Sequence, residues 1–102
     1  MRVNTKEVLS ALRDRKACRK ADSVWTDGLH IYSYGTCILA QNRRGDFIMN
    51  ETKYSPTTTD KQRGIRGNFC GNIVGKLEGL SMGVTPYKML ELAGMLEDAK
   101  FM

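Results

Sequence analysis

Between Ser23 and Asn50 the hydrophobic positions fall in four short runs rich in β-branched and aromatic residues. Three turn signals separate the runs. Asp27-Gly28 suits a two-residue turn with positive φ at both central positions, and Gly35-Thr36 suits one with Gly first. Arg43-Arg44-Gly45 suits a three-residue loop with a left-handed Gly. These turns predict a four-stranded antiparallel meander. Its register sets Trp25 opposite His30, Val24 opposite Ile31, Tyr32 opposite Leu39, Tyr34 opposite Cys37, Gln41 opposite Phe47 and Leu39 opposite Met49. Side chains alternate across a strand, so one face should carry Trp25, His30, Tyr32, Tyr34, Cys37, Leu39, Phe47 and Met49. The other should carry Val24, Leu29, Ile31, Ile38, Ala40 and Ile48, with Thr26 and Ser33. Neither face is polar, so at least one must meet helices.

Helical spacing flanks the meander. From Asn4 to about Arg19 the chain reads as a helix, with Asn4 as cap, Glu7 reaching back, and Val3 and Val8 as a hydrophobic staple. Val8, Leu9 and Leu12 form its apolar stripe. At the other end of the chain Thr85 caps a last helix, Pro86 takes its first position and Val84 staples to Met89. Leu92, Leu96 and Ala99 continue its apolar side. Met82, Met89, Met95 and Met102 read as adaptable gap-fillers.

Between them, any of Thr57, Thr58 and Thr59 can cap a further helix that starts near Asp60. Its stripe would be Ile65, Phe69, Ile73, Val74 and Leu77, with Gly64, Gly67, Gly71, Gly75 and Gly79 on the far side. Interior glycines cost a helix about 1 kcal/mol each. Three outcomes therefore stand open: a helix clamped between layers, a helix broken at its glycines, or a glycine side that is itself a contact surface with Asn68, Asn72 and Lys76. The fold class is α+β: an N-terminal helix, the meander, then two to three C-terminal helices packed on the sheet.

Composition adds partners to this picture. The chain has 102 residues, which is room for a single domain over 1–102, and a formal charge of +5 that favours anionic partners. Cations crowd the end of the first helix at Arg13, Arg15, Lys16, Arg19 and Lys20, and Arg43 and Arg44 form a loop tip. Cations suit a helix C-terminus and a solvated face, but so many also suit phosphate. The aromatic side of the sheet is either covered or an open platform on which Trp25, Tyr32 or Tyr34 stacks bases. Lys53, Ser55, Thr57, Thr58, Thr59, Lys61 and Arg63 gather at a helix N-terminus, which makes either an ordinary capping loop or an anion site.

Signatures of catalysis are missing. The sole histidine, His30, lies mid-strand away from Cys37, and the carboxylates sit at turns and strand ends without the spacing of an acid–base pair. One His and scattered thiols suggest no metal, and GIRGNFCG lacks the Gly-Lys-Ser/Thr ending of a phosphate loop. The expectation is a non-enzymatic chain without cofactors. Cys18, Cys37 and Cys70 lack CxxC pairing and argue for reduced thiols. The start, MRVNTKEVL, lacks a signal-peptide core, and no run has the length of a membrane span. A cytoplasmic location in a host cell, with no membrane partner, is the expectation.

The run WTDG…IYSYGTCILAQ…FIMNETKYSPTTTDKQ resembles a family of small proteins encoded by phages and other mobile elements. In that family a Trp-x-Asp-Gly turn leads to a YSY-x-T strand pair, and an N-x-T-K-Y-S-x-T-T segment enters a helix. The likeness spans residues 23–62 and departs at Asp60-Lys61-Gln62, where a Lys-His-Gln ending would be expected. The resemblance implies a phage-type accessory protein and brings no activity with it. Two functions fit. One is nucleic-acid binding through the basic patch and the aromatic face. The other is a protein-binding inhibitor of a host or defence nucleoprotein complex, anti-CRISPR-like or a host-takeover factor. Two apolar faces would also favour a homodimer.

Overall fold

A computed structural model of the chain describes residues 3–21 and 24–94. Expectations on the side chains of Val3, Asn4, Lys20 and Thr57, and on a last helix running through Met95, Leu96, Ala99 and Met102, lie outside the described residues. The elements are α1 (Val3–Arg13), β1 (Cys18–Ala21), β2 (Val24–Thr26), β3 (Ile31–Ser33), β4 (Thr36–Gln41), β5 (Phe47–Asn50), α2 (Pro56–Asn68), β6 (Ile73–Leu77) and α3 (Pro86–Leu92). They form an α+β fold with one six-stranded sheet in the order β1-β2-β3-β4-β5-β6. Neighbours are antiparallel from β1 to β5, and β6 runs parallel to β5.

The expected meander is therefore flanked by an extra strand on each side. The first helix stops at Arg13, not near Arg19, because a Schellman turn closes it. Arg15 N–H donates to Leu12 O at 3.0 Å and Lys16 N–H to Ala11 O at 2.8 Å, with Arg15 left-handed at φ 58°. Cys18–Ala21 then pairs with β2, so the basic run is divided among helix end, turn and strand.

The second surprise is β6. Ile73 and Leu77, four apart, fit a helical stripe, but Ile73, Gly75 and Leu77 also alternate with Val74 and Lys76. The latter pair is exposed and the former half-buried. α2 ends at Asn68 with Phe69 extended (φ −78°, ψ 129°), and none of the three outcomes open for this segment included a strand. Gly75 has a packing reason: a Cβ there would come within 3.0 Å of Ile48 Cδ1. The parallel pairing is possible because α2 supplies the long crossover that two parallel neighbours require.

Within the meander the third loop behaves as expected, with Gln41 opposite Phe47, Leu39 opposite Met49 and Gly45 at φ 89°. The first two turns are displaced. Trp25 pairs with Tyr32 and Thr26 with Ile31, around a four-residue loop held by Asp27, whose Oδ1 accepts from Leu29 N–H and His30 N–H at 2.9 Å each. The next turn is centred on Tyr34 and Gly35, since Ser33 pairs with Thr36 and Tyr32 with Cys37. Tyr34, not a glycine, takes the positive φ of 56° there.

Each displacement is an even number of residues and keeps the faces. An irregularity in β3–β4 does not. Tyr32 pairs with Cys37, but Ile31 pairs with Leu39, so Ile38 is an extra residue that flips everything beyond it. Leu39, Phe47 and Met49 consequently leave the aromatic side and join Val24, Ile31 and Ile38, where Val8, Leu12 and Ile65 from α1 and α2 complete the larger core. Ala40 and Ile48 move the other way. They join Cys37 beneath Val84, Met89 and Leu90 of the α3 region, with Tyr32 and Leu77 packed alongside. Burial of each large side chain in these two cores contributes about 1.5–3 kcal/mol. The last helix starts as expected, with Thr85 Oγ1 accepting from Lys88 N–H at 3.1 Å and Pro86 at its first turn.

Candidate functional site

On the α3 side of the sheet, α3 packs against β4 and β5, and among the described residues the β1–β3 half is left to its own side chains. There Arg19, Trp25 and Tyr32 form a row across three neighbouring strands. The Trp25 and Tyr32 rings stack with centroids 4.2 Å apart and planes 17° from parallel. The Arg19 guanidinium lies over the Trp25 ring, 4.5 Å from its centroid. Because β1 and β3 flank β2, these two neighbours occupy opposite faces of the indole. Trp25 Nε1 donates to Tyr34 O at 2.8 Å, and Tyr32 Oη donates to Asp27 Oδ2 at 2.9 Å.

Among the described residues the aromatic platform is thus neither open nor buried under a helix. It is closed by an arginine and a tyrosine, and only Tyr34 presents a largely free ring, 54% exposed at its turn. Asp27 is the residue that holds this region together. Burial pushes its carboxyl up, but the His30 and Leu29 N–H groups and the Tyr32 hydroxyl outweigh that and hold it below the usual carboxylate range. Burial, together with the hydrogen bond to Asp27 and its charge, raises the Tyr32 phenol well above its ordinary range. Burial also raises the Cys37 thiol, which keeps it protonated and unreactive. His30 is buried and its Nδ1 accepts from Gln41 N–H at 3.0 Å, a structural bond in the core.

The antiparallel order brings the cations together. The exit of α1 into β1, the Asp27–His30 loop and the β4–β5 loop all lie at one end of the sheet, and Gly28 anchors the first to the second. A Cβ on Gly28, at φ 96°, would stand 3.1 Å from Arg15 O. Arg13, Arg15, Lys16, Arg43 and Arg44 are all exposed at that end. Two carboxylates share this end: Asp14, 3.7 Å from Arg13, and Asp46, which accepts from Asn72 Nδ2 at 3.0 Å. Arg19 is set back along β1, in the aromatic row.

The expected anion site does not assemble as drawn. Ser55, not a threonine, caps α2: its Oγ accepts from Thr58 N–H at 3.2 Å, with Pro56 in the first turn. Thr58 and Lys61 are buried, so neither can face a surface anion, because their positions on α2 turn them toward the sheet. Lys53, Ser55, Thr59 and Arg63 do share a groove of about 550 Å³, but Asp60 stands in it as well and opposes an anion.

The reading of the sequence missed the polar network behind this segment. Asn50, fully buried, donates from Nδ2 to Cys37 O at 3.0 Å and to Tyr54 Oη at 2.9 Å. Gln62 Nε2 donates to Asn50 O at 2.7 Å and Thr52 O at 3.0 Å, and Tyr54 Oη donates to Ser81 O at 3.2 Å. Leu80 N–H reaches Thr52 Oγ1 at 2.9 Å. The only signal was the density of amides and hydroxyls in NETKYS…Q, which reads equally as ligand-binding or structural.

Compared with protein-family models, with curated proteins and with solved structures, the chain matches none. What the geometry defines is an α+β chain with one cationic sheet end and an arginine-capped aromatic row. Among the described residues, no helix is long and apolar enough to cross a membrane.

Proposed function

We propose that this chain is a non-enzymatic, phage-type accessory protein that binds nucleic acid through the cationic end of its sheet. The observation that carries this reading is the convergence of Arg13, Arg15, Lys16, Arg43 and Arg44 from two separate stretches of sequence onto one end of one sheet. Helix-dipole compensation accounts for a cation or two at the end of α1, but not for the Arg43–Arg44 tip. Arg15 supports the reading further. It holds a left-handed conformation where glycine is favoured, costing about 1 kcal/mol, and its side chain is exposed to solvent.

The sole tryptophan lies mid-sheet with Arg19 over its ring and its Nε1 on Tyr34 O, so its fluorescence reports on that half of the sheet. Titration of the protein with DNA and RNA at low salt should change Trp25 emission saturably, with affinity falling steeply as salt is added. An unchanged spectrum together with no gel shift contradicts the reading.

A second reading, a protein-binding inhibitor of a host or defence nucleoprotein complex, draws on the β1–β3 half, which no helix covers among the described residues. Arg19, Trp25, Tyr32 and Tyr34 lie there, and these residue types are enriched in protein interfaces. Pull-down of one defined host complex that survives high salt, and is abolished by Trp25→Ala, would favour it over the first.

A further inference from the structure

We infer that the ligand of the cationic end is duplex DNA, gripped across a groove by two separate groups of cations; this rests on the nucleic-acid reading above. The first group, Arg15 and Lys16, lies over the β2–β3 loop, where Arg15 O would touch a Cβ on Gly28. The second, Arg43 and Arg44, tips the β4–β5 loop. Two to three strand spacings separate them, about 10–14 Å. The major groove of B-form DNA is about 12 Å wide, so each group meets the phosphates of a different strand. In the loop between them Gly28 is buried, and the charged Asp27 carboxylate accepts from the Leu29 and His30 N–H groups and the Tyr32 hydroxyl.

A single strand offers one line of phosphates and would need rings to stack on its bases. Within the aromatic row, among the described residues, no ring is free at the cationic end. Trp25 has Arg19 on one face and Tyr32 on the other, and the exposed Tyr34 turns at the opposite end of the sheet. Double-stranded RNA fits less well, since its A-form major groove is deep and narrow.

The test is fluorescence anisotropy with a labelled DNA duplex of about two helical turns, the same sequence as duplex RNA, and each DNA strand alone. The DNA duplex should bind at least tenfold more tightly than either other form. The double variants Arg15→Gly/Lys16→Gln and Arg43→Gln/Arg44→Gln should each weaken duplex binding about tenfold, in line with the loss of two phosphate contacts. Tyr34→Ala should leave duplex affinity unchanged. Circular dichroism of each variant checks that it is folded. Single strands or duplex RNA binding as tightly as duplex DNA overturns the inference while leaving the nucleic-acid reading intact, and so does an effect confined to one cation group. No binding to any of the forms overturns both.

Discussion

The two ends of the sheet spend their polar residues in opposite ways. At the end where β5 finishes, Asn50, Thr52, Tyr54 and Gln62 satisfy one another and tie β5, α2 and the segment before α3 into one unit. At the other end Arg15, Lys16, Arg43 and Arg44 are exposed. The first end carries the distinctive N-x-T-K-Y-S motif and the second carries only charge. The contrast teaches that a conspicuous polar motif can be scaffold, while the proposed function rests on a plainer feature that topology assembles.

The largest expected effect comes from breaking the welded end. Gln62→Ala leaves the buried Asn50 carbonyl and the part-buried Thr52 carbonyl without this donor and should cost about 3 kcal/mol, read by urea denaturation. Next is Gly28→Ala, which joins a left-handed φ to a backbone contact near 3.1 Å. It should cost about 2 kcal/mol and, because Arg15 lies against it, also weaken nucleic-acid binding.

Asp27 sharpens the comparison through pH. Its pKa is depressed in the folded chain, so the stability it contributes is present above the unfolded carboxylate pKa of about 3.9 and is lost as pH falls through the lower folded value. Denaturation midpoints should be flat above about pH 5 and fall below pH 4. Asp27→Asn should lower the plateau by about 1 kcal/mol and flatten the acid limb.

The smallest effect has the opposite sign. Arg15→Gly should raise stability by about 1 kcal/mol, because glycine suits the left-handed end of α1, while nucleic-acid affinity falls. Destabilisation by this change would mean that the arginine is structural.

Much of the fold was legible where local chemistry decides it. Thr85-Pro86 marked the start of α3, and Arg43-Arg44-Gly45 fixed the β4–β5 register. Ser55-Pro56 carries the same cap-then-proline pattern, but the three threonines after it are equally suited to capping by residue type. Long-range effects were not legible. A single extra residue at Ile38 moved Leu39, Phe47 and Met49 to the other core, and no local signal marks it. Residues 73 and 77 satisfy helical and strand periods alike, so only pairing with β5 decides for a strand. Of the candidate site, the cations were visible as charge. Their convergence at one end, and the closing of Trp25 by Arg19 and Tyr32, depend on strand order that short-range patterns do not encode.

The most direct test is the salt dependence of DNA-duplex affinity for the natural chain and for the variant Arg15→Gly/Arg43→Gln/Arg44→Gln. With Arg13, Arg15, Lys16, Arg43 and Arg44 on phosphates, the slope of log affinity against log salt should be about −4.5. In the variant it should fall to about −2, with the thermal midpoint unchanged or raised. An unchanged slope in a folded variant would contradict the account, because the charge that binds would then lie elsewhere on the molecule.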